Sequence, residues 1–183
     1  MSAEKPSIVL RCPRHCKKPL PASAARSPTP ATDTLNPPPL EPELVVLDTN
    51  VVLDWLVFRD ATCATLAADV ECGRVRWLGT AAMRDELAHV IERGHLDAWS
   101  PQPATIWQAW DRWCTEVVPN VSADPIRTPR CTDPDDQKFI DLAVSRRVRW
   151  LVSRDRAVLA TARQLRAFGV WACAPQRWRL TDH

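Results

Sequence analysis

Four carboxylates in this chain stand in settings that can bring them to one place. Asp48 follows the apolar run Leu44-Val45-Val46-Leu47, Glu86 lies inside a helical pattern, Asp136 sits in the acidic cluster Asp133-Pro134-Asp135-Asp136, and Asp155 follows a second apolar run. A histidine-free set of acids offers only hard oxygen donors, which suit Mg²⁺ or Mn²⁺ with their waters and phosphate oxygens better than Zn²⁺. Four uncompensated carboxylates repel one another. A bound cation relieves that repulsion, lowers the pKa of a bound water to make a nucleophile, and stabilises charge developing on a phosphate. The chemistry these residue types prepare is metal-assisted hydrolysis.

The elements around the acids decide whether they can meet. Leu44 to Leu47 reads as a strand buried on both faces and ending at Asp48, and the run at 148–152 reads as another, with Ser153 and Asp155 at its end. The carboxyl edge of an open parallel sheet is where such folds place their ligands. Thr80 is placed to cap a helix whose apolar face is Met83, Leu87, Val90 and Ile91. Glu86 borders that face, and a carboxylate there needs a partner. Asp133 or Asp135 is placed to cap a helix with the stripe Phe139, Ile140, Ala143 and Val144, which sets Asp136 in its first turn near the same edge. Taken singly, each acid has a plainer reading as an N-cap or a partly solvated helix residue, as do Asp133, Asp135 and Asp141. The order of strand end, helix, helix start and strand end singles out the four.

On these residues the chain resembles the PIN-domain nucleases. The resemblance rests on Leu47-Asp48-Thr49-Asn50-Val51, on Glu86-Leu87 with Val90-Ile91, on the run from Asp133 to Ala143, and on Leu151-Val152-Ser153-Arg154-Asp155, and it spans about residues 43–175. The Asp-Pro-Asp-Asp-x-Lys-Phe run is most similar to the VapC-like ribonucleases, toxin components of toxin–antitoxin systems. The resemblance implies that Asp48, Glu86, Asp136 and Asp155 are the catalytic, metal-holding quartet, with Asp135 a substitute for Asp136, and that Asn50 and Ser153 orient carboxylates or waters. It implies Mg²⁺ or Mn²⁺ as cofactor and in-line attack of water on an RNA phosphodiester, leaving a 5′-phosphate and a 3′-hydroxyl. A small antitoxin partner and a homodimer are implied by the resemblance alone. Arg154 and Arg156, flanking Asp155, and Arg127 and Arg130, in the loop before Asp136, are the arginines placed to meet phosphates.

The periodicity predicts an alternation of strand and helix. Strands are expected at 44–47, 75–78, 116–118, 148–152 and 170–173. Helices are expected at 51–58, 61–72, 80–91, 103–115, from Asp136 onward, and at 155–167. This is an α/β chain with a mainly parallel sheet, and the resemblance makes it a PIN-like three-layer α/β/α fold. There is no internal repeat, no P-loop and no GxGxxG.

Composition separates a leader from the domain at 43–183. Residues 1–42 hold 10 of the 17 prolines and six Lys or Arg against three acids, and read as a disordered or extended tail or as the product of an upstream start codon. The remaining 18 basic and 19 acidic residues leave the domain without a global field toward nucleic acid. No run is long enough to span a membrane, which points to a cytoplasmic protein. Seven cysteines with no CxxC pair argue against a disulfide scaffold. Cys12, His15 and Cys16 lack a fourth zinc ligand, while Cys63, Cys72, Cys114 and Cys173 fall in apolar patterns. Among nine tryptophans, Trp107, Trp110 and Trp113 share helical spacing as a core stripe, a dimer surface or an antitoxin groove, with core expected for at least two.

Two other classes stay open. A haloacid-dehalogenase-type phosphatase would want an Asp where Asn50 stands. A catalytically silent PIN-like module that binds RNA or protein would carry the quartet as a remnant.

Overall fold

The computed structural model describes residues 41–93, 96–99, 101–119 and 128–180. The Pro-rich leader, its Cys12-to-Cys16 motif and Arg127 lie outside the described residues. Apolar runs form the strands: β1 (Glu43–Leu47), β2 (Val75–Gly79), β3 (Cys114–Glu116), β4 (Trp150–Val152) and β5 (Trp171–Cys173). They make one sheet in the order β3-β2-β1-β4-β5, with every pairing parallel. Helices on both faces complete a three-layer α/β/α fold, as parallel strands buried on two sides require. Val45, Val46 and Leu151 are fully buried at its centre.

The helices are α1 (Thr49–Leu53), α2 (Ala64–Glu71), α3 (Ala81–Glu92), α4 (Pro103–Trp113), α5 (Gln137–Ser145), α6 (Arg156–Ala160) and α7 (Ala162–Leu165). Thr80 caps α3 as expected, its hydroxyl accepting from Met83 N at 3.4 Å. α1 runs into a π-helical turn, Asp54–Phe58, closed by Arg59 in the left-handed region at φ 55°.

Several expected elements differ from those observed. The single helix expected at 155–167 is divided at Thr161, whose hydroxyl donates to the Val158 carbonyl at 2.7 Å and competes with the helical ladder. The strand expected at 116–118 begins at Cys114, because α4 passes into β3 with no loop between them. Neither Asp133 nor Asp135 caps α5. Asp133 instead accepts from Asp135 N at 2.9 Å, and Asp136 itself takes the cap position without using its side chain.

Tryptophans build much of the interior. Trp77 meets Trp110 edge-on at 5.0 Å and Trp55 stacks on Trp113 at 5.3 Å, so the α4 stripe faces the core, with Trp107 partly buried under Arg84. Trp178 is fully buried against Trp150, its Nε1 donating to Asp69 Oδ2 at 2.7 Å, while Arg74 pairs with the other oxygen of that buried acid. Asp69→Ala leaves the Trp178 N–H buried without an acceptor and is expected to lower the unfolding free energy by about 2 kcal/mol in urea denaturation. A change below about 0.5 kcal/mol would show that this latch carries nothing.

Candidate metal and nucleic-acid site

The strand order places a switch point between β1 and β4. The chain steps outward from β1 to β2 and β3, then returns to lay β4 on the other side of β1. Crevices outside the carboxyl ends of strands at such a point are the ligand sites of open α/β sheets. Leu47 pairs with Val152 at this end, so Asp48 and Ser153 follow directly on adjacent strands.

Asp48 is 2% exposed. Its Oδ2 accepts from Asn50 Nδ2 at 2.8 Å and from the Ser153 hydroxyl, while among the described residues Oδ1 has only a 3.5 Å contact from Asn50 N. Burial nevertheless pushes the carboxyl above its ordinary value of 3.8, against the lowering by Ser153 and Asn50 and with a further push from Glu86. Asn50 Oδ1 accepts from Arg154 N at 3.1 Å, and Ser153 Oγ accepts from Asp155 N at 2.9 Å. Asp155 caps α6 by accepting from Ala157 N at 2.6 Å. One hydrogen-bonded chain therefore joins Asp155 to Asp48 through Ser153, and Asn50 ties the turn after β1 to the turn after β4.

Asp136 is half-buried at the start of α5, and no hydrogen bond to its carboxylate is formed among the described residues. Its carboxyl is pushed up to about 6, first by burial and then by Asp48, Asp155, Asp133 and Glu86. These like charges share one field. Glu86, expected to need a partner, has one in Lys138, whose Nζ stands 2.5 Å from its Oε2.

Not all the arginines face the acids. Arg154, expected to meet phosphate, instead donates from Nε to Asp54 and from a terminal nitrogen to Asp60 at 2.6 Å and Thr62 Oγ1 at 2.7 Å. Asp54, Asp60 and Thr62 were not singled out from the sequence, and lie more than 90 residues before Arg154. Arg130 is at the surface. Arg156 is exposed and lines an open cleft of about 630 Å³ with Thr132, Asp133 and Asp155.

The donor set consists of hard oxygens, with neutral donors rather than cations holding Asp48 and Asp155. Among the described residues no three acids, histidines or cysteines already surround one point as ligands, so the fit to a divalent cation lies in donor type and unbalanced charge. No described helix is long and apolar enough to cross a membrane. A family model described as PIN domain matches residues 44–157. No curated protein matches the chain.

The raised Asp136 carboxyl keeps its proton in the folded state between 3.8 and about 6, so its ionisation costs stability as pH rises through that window. The cost is absent below the window and complete above it. Asp136→Asn is therefore expected to stabilise the metal-free fold at pH 7 by about 1 kcal/mol, discounted for solvent screening, and to give no gain near pH 3.5. Denaturant unfolding of both proteins at the two pH values checks this, and equal stability at pH 7 would contradict it.

Proposed function

The chain belongs to the PIN-domain family, a nuclease-type fold, and from that membership we propose that it is a divalent-metal-dependent endoribonuclease cutting RNA phosphodiester bonds. The observation that carries the proposal is Asp48. An acid 2% exposed at the switch point, held in place by two neutral donors, is a poor way to stabilise a fold and a good way to aim a carboxylate.

Asp48 and Asp136 would hold Mg²⁺ or Mn²⁺, and Asp155 would complete the set. Bound there, the ion supplies a water of lowered pKa and neutralises charge on the scissile phosphate. Asn50 and Ser153 act on Asp48: both donate to Oδ2, which leaves Oδ1 as the oxygen with capacity to spare. Ser153 also receives the Asp155 N–H, so both strand-end acids are referred to one hydroxyl. Arg156, at the mouth of the open cleft beside Asp155, is the exposed cation positioned to take a flanking phosphate, with Arg130 as a second contact. Arg154 serves the site by pinning the turn after β4 to Asp54 and Asp60.

The run from Asp133 to Phe139 supports a narrower reading: the toxin of a type II toxin–antitoxin pair. That reading brings with it a small antitoxin protein, a homodimer and a cytoplasmic RNA target.

Cleavage of a mixed RNA pool by the purified protein and by Asp48→Asn, each with Mn²⁺ or with chelator, tests the activity. The wild type is expected to cut only with the metal, and the variant to lose on the order of 100-fold or more. Cleavage that ignores chelator or survives the substitution would refute the assignment, and silence from both proteins would favour a binding module.

A further inference from the structure

Lys138 stands where helix electrostatics disfavours a cation. It is the second residue of α5, at the positive end of the helix dipole. Its side chain is nonetheless only 26% exposed, and its ammonium is fixed on three sides. Glu86 Oε2 lies at 2.5 Å, the Asp135 carbonyl accepts from it, and the Phe139 ring centroid is 5.0 Å away. Glu86 is 28% exposed, and its Oε2 is buried and among the described residues receives no hydrogen bond of good geometry, so the ion pair is what compensates it. This pair links α3 to α5, the two helices that bring Glu86 and Asp136 into one field.

We propose that Lys138 is a built-in counter-cation that occupies Glu86 and withholds it from metal, leaving Asp48, Asp136 and Asp155 to a single divalent ion. The inference rests on the reading of this edge as a metal site. Mg²⁺ binds oxygen at about 2.0–2.1 Å, so an ion on Glu86 Oε2 would compete for lone pairs that the ammonium already covers. The like charges of ion and ammonium would also repel at that range. Among the described residues Asp48 and Asp155 have no such occupant, since their partners are the neutral Asn50, Ser153 and Ala157 N–H. Lys138 therefore divides the four acids into a compensated one and three that need a cation.

The test is Mn²⁺ stoichiometry and affinity on the full chain, from calorimetry together with the electron paramagnetic resonance signal of free Mn²⁺. The proteins compared are wild type, Lys138→Met, and Lys138→Met combined with Glu86→Gln. One ion is expected for wild type, two for Lys138→Met, and one for the double variant with affinity within about threefold of wild type. Two ions in wild type, or one in a folded Lys138→Met, would overturn the role of Lys138 while leaving the metal reading intact. If the single variant does not fold, the double variant, which buries neither charge, decides: a loss of about tenfold or more would make Glu86 a ligand and overturn the proposal. No binding by wild type would overturn the metal reading and this inference together.

Discussion

Asp48 sits at the end of the central strand, almost wholly withdrawn from water, and the site is organised around keeping its charge there. A buried carboxylate is tolerated only with donors. Asn50 comes from the turn that starts α1 and Ser153 from the residue after β4, so satisfying Asp48 requires β1 and β4 to be in register at that edge. The same requirement positions Asp155, whose N–H uses Ser153 as acceptor, and Arg154, whose N–H uses Asn50. Pairing, turn geometry and acid placement are one constraint seen from several residues.

The acids are unevenly compensated, and that unevenness separates structure from chemistry. Asp54 and Asp60 are paired with Arg154, Asp69 with Arg74 and Trp178, and Glu86 with Lys138. Asp136 has no such relief among the described residues, and its carboxyl is pushed up to about 6, first by burial and then by the neighbouring carboxylates. Burial combined with specific charged neighbours at a sheet's ligand edge marks a candidate functional site. A fold selected for stability alone would have placed a cation or a neutral side chain there.

Much of this was legible in the sequence because the signals are local. A buried strand ending in Asp48 and another ending at Ser153 and Asp155 follow from apolar runs that stop at polar residues, and the helix of Glu86 follows from its cap and stripe. The three-layer arrangement follows from the alternation of strand and helix, although the division of the last helical segment at Thr161 depends on one hydroxyl turning back on its own helix. What escaped is pairing across long separations. Nothing near Arg154 announces that Asp54, in a π-helical turn, and Asp60, just past it, pair with its guanidinium. Lys138 had a local signal, a cation in the first turn of a helix, whose partner only the folded chain shows. The sequence pattern puts Asp136 in the first turn of α5, whereas it occupies the cap position, one step that leaves the carboxylate unused by the helix.

The central claim is that Asp136 belongs to a crowd of carboxylates whose repulsion a divalent cation relieves. The most direct measurement is an NMR titration of the Asp136 side-chain carboxyl carbon, without and with Mg²⁺. Without the ion it is expected to titrate at about 6, and with Mg²⁺ the midpoint should fall below the ordinary 3.8 as the charged form gains a partner. A midpoint near 3.8 in the absence of metal, or a raised midpoint that Mg²⁺ leaves unmoved, would contradict the account.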